Sequence, residues 1–349
     1  MRFTRRYILI LCAVLLPIAM LLLAGCRSFH LGGSGGQNGG EGGNDVVCPI
    51  DGLPTTREAI AHRPVAVMIE NSPAARPQSG VSQACVVYEA ITEGGITRFL
   101  AIFLHNAPEV IGPVRSARPH FINLAQEYNP VYVHCGESYE ALQILAYNSP
   151  VDDLDQLKFG KPFWRSHQRP APHNLYTSQK RLMEFIEKHQ WDRSISDLPT
   201  FSHGGQFTGG TPAQEVTINF NGAVHYRLRF VYDQQAGGYL RYMDGKLHVD
   251  KETGKPIVAK NIVIQRVSAV EFPNSEKHTF DVSVIGSGDG YFVSQGKQTP
   301  LLWSKYGASS ITNYTDADRQ PLPFQPGQTW IELVPLNGKV TITAPASPA

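Results

Sequence analysis

The chain has 349 residues, of which 42% are hydrophobic and 17% charged, and its formal net charge is +1. That length accommodates two ordinary domains, and the composition excludes a disordered or collagen-like chain. Near-neutral charge without a basic stripe excludes a dedicated nucleic-acid binder, so no nucleic-acid partner is expected.

Residues 1–25 read as an export signal. Arg2, Arg5 and Arg6 form a basic start, and "YILILCAVLLPIAMLLLA" is the apolar region that follows. It closes on "LAGC", Leu23 to Cys26, with small residues just before a cysteine. This is similar to a lipobox, in which Cys26 is lipidated and becomes the first residue of the mature chain. An uncleaved anchor helix is the alternative. Either way the body of the protein is expected outside a bacterial cytoplasm, held to the cell membrane. Residues 26–49 carry the lipidated cysteine and a tether. Eight of the twelve residues from Gly32 to Gly43 are glycine, which buries no core. A coil of about 20 residues spans roughly 25 Å.

Residues 50–192 are expected to form an α/β (or α+β) domain with a mixed sheet. "RPVAVMIEN" is a buried strand. "CVVYEAI" and "ITRFLAIF" are strands joined by "TEGG" as a hairpin. "PHFINLAQEY" is a short helix with Pro119 in its first turn, where a missing N–H costs nothing. "VYVHCG" is a strand, and "SYEALQILAYN" a helix capped by Ser138. "SQKRLMEFIEKHQ" is an amphipathic helix with Leu182, Phe185, Ile186 and His189 on one face. Residues 193–213 are Gly-, Pro- and Ser-containing and read as a linker. Residues 214–338 show short strands separated by turn residues and no helix beyond two turns, which predicts a mostly antiparallel β domain. Residues 339–349 are a tail. "GSGDG" reads as a β-turn, and Asp316 and Asp318 as turn residues rather than a calcium loop, because the later ligands are missing.

Candidate chemistry gathers in the first domain. A four-residue "TEGG" loop pairs Ile91 with Ile96 and sets Glu89 opposite Arg98; a two-residue Gly94-Gly95 turn makes them diagonal. Both registers put Glu89 and Arg98 on one face. They form either a structural ion pair or one wall of a polar cleft. "IGPVRSARPHF" places Arg115 and Arg118 at a helix start, where cations oppose the helix dipole. Their partner is either a carboxylate of the protein (Glu70, Glu89 or Glu93) or an external anion gripped by both guanidinium and N–H groups. Ser116 adds a hydroxyl but lacks a nucleophile context. The loop "FWRSHQRPAPHNLYTS" supplies His173 and Asn174 as ligand contacts. Cys48, Cys85 and Cys135 remain after the signal and the lipidated residue, so one disulfide or three buried thiols are open readings. No CxxC, HExxH or HxxxH occurs, and "HCGE" has no metal-ligand spacing. No metal site and no cofactor are expected.

Three long stretches carry a resemblance: "RPVAVMIENSPAARPQSGVSQACVVYEAITEGGITRFLAIF", "IGPVRSARPHF" and "APHNLYTS". They resemble the YerB-like bacterial lipoprotein family, of unknown function, as do "TPLLWSKYG" and "PFQPGQTWIELVP" in the second half. The resemblance implies a membrane-anchored, two-domain envelope protein and no catalytic role for any residue. Cys85 departs from the family, which more often has an acidic residue there, and "HCGES" replaces a more glycine-rich turn. An acidic group at 85 is therefore not essential to this protein.

Three functions remain open. One is a binding module whose cleft (Arg115, Ser116, Arg118, His173, Asn174, with Glu89, Glu93 and Arg98) holds an anionic envelope glycan, lipid head group or peptide. Another is an enzyme that cleaves glycan or phosphoester bonds with Glu89 and Glu93 as acid and base. The third is an envelope scaffold that docks a protein partner.

Overall fold

The computed structural model describes residues 46–148, 151–192, 198–220, 226–273 and 278–345. The export signal, Cys26 and the glycine tether lie outside the described residues.

An 11-stranded mixed sheet forms the centre. Its strands run, side by side, Thr211–Pro212, Lys297–Lys305, Gly286–Ser294, Asn261–Val267, Thr329–Pro335, Val86–Ile91, Thr97–Phe103, Val65–Glu70, Val131–His134 and Asp152–Asp155. Asn313–Thr315 pairs with Lys297–Lys305 off that path. The joint is Thr329–Pro335, which runs parallel to both Asn261–Val267 and Val86–Ile91. Strands from both halves of the chain therefore share one sheet. Val65–Glu70, Val131–His134 and Asp152–Asp155 are also mutually parallel. The last step is a crossover through helix α2 (Tyr139–Asn148), as parallel neighbours require.

The apolar runs of the sequence become strands buried along their whole length: Val65–Glu70, Val86–Ile91 and Thr97–Phe103. Such runs need cover on both faces. One face packs Tyr88, Leu100 and Ile102 with Phe121, Ile122 and Leu124 of α1 (Pro119–Ala125) and with Ala141 and Leu145 of α2. The other packs Val87, Phe99 and Trp330 with Leu182, Phe185 and Ile186 of α3 (Gln179–Lys188). It also meets Val216, Leu228 and Phe230 of a second, antiparallel sheet in the C-terminal half. That six-stranded sheet is ordered Lys246–Leu247, Gly238–Met243, Leu228–Asp233, Glu215–Asn219 and Lys339–Thr343, with Val258–Ala259 beside Gly238–Met243. The expected Ser138 cap is in place, its hydroxyl accepting from the Ala141 N–H, and the Ser178 hydroxyl caps α3 by accepting from the Arg181 N–H, both at 3.3 Å.

Three expectations are corrected, the first being the tail, because Lys339–Thr343 is a strand paired with Glu215–Asn219. The hairpin takes neither proposed register: Ile91 pairs with Thr97, Ala90 with Arg98 and Glu89 with Phe99. The connection spans Thr92 to Ile96, closed by the Thr92 N–H donating to the Ile96 carbonyl at 2.7 Å. Gly94 and Gly95 sit inside it at φ of 62° and 74°, conformations that glycine takes without strain. An odd shift sends Glu89 and Arg98 to opposite faces. "GSGDG" is not a turn but the start of the strand Gly286–Ser294. A Cβ at Gly290 would meet the Ile264 carbonyl oxygen at 1.8 Å, so this glycine marks a close backbone approach within a sheet.

Candidate functional site

The two arginines of the opening helix turn to different partners. Arg118, the residue before α1, reaches Glu93 in the hairpin turn through Nε at 2.9 Å and Nη2 at 2.6 Å. Arg98 meets the same carboxylate at 2.6 Å. The remaining guanidinium N–H groups donate to main-chain carbonyls: Arg98 to Ser116 and Arg118 to Ala117, both at 2.6 Å. Burial works against a charged Glu93, but the guanidinium groups of Arg98 and Arg118 prevail and hold its carboxyl well below the usual range. Burial and then the charge of Arg98 lower Arg118 to about 10. Burial, followed by these two arginines, pushes the neighbouring His120 down to about 3. The negative charge facing this helix start is therefore Glu93, and α1 has only seven residues.

Arg115 goes instead to Glu70, with Nε 3.2 Å from Oε2. His173 Nδ1 lies 2.7 Å from Oε1 of the same residue, and the Ser72 hydroxyl donates to Oε1 at 2.6 Å. Arg115 and His173, both partly exposed, therefore meet at Glu70, outside the hairpin, while Arg118 turns to Glu93. Ser116 is half-buried and contributes its carbonyl. Asn174 is buried; its amide donates to the Ser166 carbonyl and its oxygen accepts from Arg165.

Glu89 does not reach any cleft. Its side chain is fully buried and pairs with the equally buried Arg241 of the second sheet. Asn71 donates to it at 3.1 Å, and Arg241 also donates to the Tyr226 hydroxyl and to His248 Nδ1. His248 accepts because burial, then Arg241 and Arg76, hold it neutral, well below its usual range. Glu332 stands beside Glu89 in the neighbouring parallel strand. Burial first, and the Glu89 charge second, push its carboxyl well up. The hairpin slip is the reason Glu89 joins this inter-sheet network.

A basic groove was not anticipated from the sequence. Its volume is about 790 Å³, and Lys158, Lys161, Lys180, Arg181 and Lys188 line it against a single acidic lining residue, Glu184. Its apolar floor holds Phe159 and Phe185, edge to face at 5.2 Å, with His189 stacked on Phe185 at 3.8 Å. Arg181 also lies over the Trp164 ring at 4.9 Å. The charges of α3 read as an ordinary solvated face, and only the spacing of "KFGK" before that helix hinted at a second basic wall. "HCGE" is an internal polar knot: His134 contacts the Gly136 carbonyl at 2.8 Å and Asp153 on its other nitrogen.

A mixed sheet shared by both halves, flanked by a small antiparallel sheet, is the framework on which these clusters sit. Residues 50–192 match the family model described as "Protein of unknown function (DUF3048) N-terminal domain", and residues 216–331 match its C-terminal counterpart. The chain belongs to this family. It is 36% identical over 292 residues to "Putative lipoprotein YerB" of Bacillus subtilis (strain 168), covering 83% of this chain and 86% of that one. It is also similar to the crystal structure of the YerB protein from Bacillus subtilis, with a TM-score of 0.77 at 32% identity, over 85% of this chain and all of that one. The chain is thus a YerB homologue, and the name of that relative agrees with a lipid anchor. Among the described residues, no helix is long and apolar enough to cross a membrane.

Proposed function

We propose that the protein is a lipid-anchored, extracytoplasmic binding protein that holds an anionic envelope ligand against its N-terminal half. The observation that carries this reading is the groove beside α3, where five cationic side chains face one acidic one over an aromatic floor. Phosphate or carboxylate groups gain from converging cations, and an apolar floor accepts the body of a glycan or lipid. Arg115 and His173, partly exposed at Glu70, are a second contact point. Arg98, Arg118 and Glu93 satisfy one another and serve the turn.

Catalysis by Glu89 and Glu93 is the weaker reading. Glu89 is sealed in the core, and Glu93 is held ionised by two arginines, so neither is suited to deliver a proton. One observation favours a protein partner: α2 leaves Tyr139 and Tyr147 largely exposed, 73% and 78%, with Leu142 between them.

The test is binding of the intact chain, in non-ionic detergent, to inorganic polyphosphate and to phosphatidylglycerol vesicles, with phosphatidylcholine vesicles as the control. Binding should weaken with salt. The double substitution Lys161→Glu with Lys188→Glu should weaken it about tenfold or more, roughly 1.4 kcal/mol. Binding that ignores both salt and these substitutions would remove the groove from the function.

A further inference from the structure

The thiols Cys48 and Cys85 lie outside every cluster described so far. Cys48 and Asp51 sit in the tight turn "CPIDG", closed by the Gly52 N–H donating to the Cys48 carbonyl and the Cys48 N–H donating to the Leu53 carbonyl, both at 2.8 Å. Cys85 immediately precedes the strand Val86–Ile91, and its N–H is held by the Ile102 carbonyl at 2.8 Å. His105 follows the strand Thr97–Phe103. The sheet brings these three segments to one point. One donor atom from each of Cys48, Asp51, Cys85 and His105 lies within 4.8 Å of every other. Both cysteines are fully buried, and the Asp51 and His105 side chains are 2% and 8% exposed.

We infer that Cys48, Asp51, Cys85 and His105 form a structural site for a tetrahedral divalent metal of the zinc class. Two thiolates, an imidazole and a carboxylate are the donor types such an ion takes. Metal–ligand bonds of about 2.0–2.3 Å in a tetrahedron put donors roughly 3.3–3.8 Å apart. The present cluster needs only small side-chain adjustments to reach that. His105 Nε2 already lies 2.8 Å from Asp51 Oδ2. The Asp51 Oδ1 atom is oriented by the Leu53 N–H at 3.2 Å. Main-chain hydrogen bonds fix the Cys48 turn and the Cys85 N–H, and such outer contacts steady metal-bound thiolates. No open position is left among four buried donors, so the role is to fasten rather than to catalyse. Binding displaces both thiol protons, and also the second imidazole proton whenever His105 is charged. The ion would fasten the turn where the tether enters to the ends of two central strands.

A disulfide between the same cysteines is the competing chemistry, and it would leave the Asp51–His105 pair without a purpose. The intact chain, reduced and handled without oxygen, is titrated with cobalt(II) and then with zinc. The site predicts one ion per chain, sulfur-to-cobalt charge-transfer bands with tetrahedral d–d bands, and displacement by zinc. It also predicts a melting temperature that rises with zinc. Cys48→Ser should remove the charge-transfer bands, and His105→Gln should weaken cobalt binding about tenfold or more, with near-ultraviolet circular dichroism reporting that each variant is folded. The spectrum of the unsubstituted chain decides the matter even where a variant does not fold. Absence of those bands would overturn the inference, as would bands unchanged in folded Cys48→Ser. So would chains isolated from the envelope with Cys48 and Cys85 joined as a disulfide.

Discussion

The buried carboxyl of Glu332 makes a pH-dependent prediction. Glu332 and Glu89 are neighbours in adjacent parallel strands, and the one cation paired there, Arg241, is bound to Glu89. Burial, then the Glu89 charge, raises the Glu332 carboxyl from its ordinary value of 4.5. The folded chain therefore keeps a proton that the unfolded chain releases above about pH 4.5. Stability from this group is complete below that pH and declines as pH rises towards the raised folded value. The decline is about 1.4 kcal/mol per pH unit for as long as the folded state holds the proton. Glu332→Gln removes it, because an amide of the same size never ionises. Urea unfolding at about pH 5, 6, 7 and 8 should give two curves that separate, with the variant gaining on the parent as pH rises. Parallel curves would refute the reasoning and place a charged Glu332 in the fold.

Further outcomes follow from single contacts. Arg241→Met leaves Glu89 buried without its cation and removes the guanidinium stacked 4.2 Å over Trp330; it should cost about 3–5 kcal/mol in denaturant unfolding, and a loss under about 1 kcal/mol would show the pair to be unimportant. Glu93→Gln sets Arg98 and Arg118 against each other without a counter-charge. It should cost about 1–3 kcal/mol at neutral pH, part of it screened because Glu93 is 27% exposed. Since the folded carboxyl lies below 4.5, that gap should be full above about pH 4.5 and close as pH falls towards the folded value. Gly290→Ala forces a Cβ onto the Ile264 carbonyl and should break the pairing of Gly286–Ser294 with Asn261–Val267, seen as loss of a cooperative melt. Ser178→Ala removes the α3 cap and should cost about 1 kcal/mol.

The elements themselves were legible wherever periodicity was long. The buried strands, both of the capped helices and the β-rich second half could be read from apolar runs and turn residues. The relation between the halves could not. "TWIELVP" reads as one more strand of the second half, and nothing local says that it inserts between Asn261–Val267 and Val86–Ile91. The candidate site was legible in part for a similar reason. The need of Arg115 and Arg118 for negative charge follows from helix electrostatics, and a carboxylate answers each. Which carboxylate depends on one extra residue in the hairpin turn. Both two- and four-residue loops keep Glu89 with Arg98; the five-residue connection frees Arg98 to join Arg118 on Glu93 and turns Glu89 towards Arg241.

The same limit explains why the thiol cluster escapes a search by motif. Metal patterns such as CxxC work because a single turn presents both ligands. Here the turn supplies Cys48 and Asp51, while Cys85 and His105 come from the start of one strand and the end of the other, at the same end of an antiparallel pair. In that pair Val86 faces Ile102, so the residue just before one strand and the residues just after the other must lie side by side. Once the register is known, Cys85 and His105 are neighbours by geometry rather than by spacing. The hairpin register therefore determines both the arginine clusters and the proposed metal site. A change in loop length at Gly94-Gly95 that reset the pairing by one residue should dismantle all of them together. A variant of that kind with its cobalt spectrum intact would separate the metal site from the register argument.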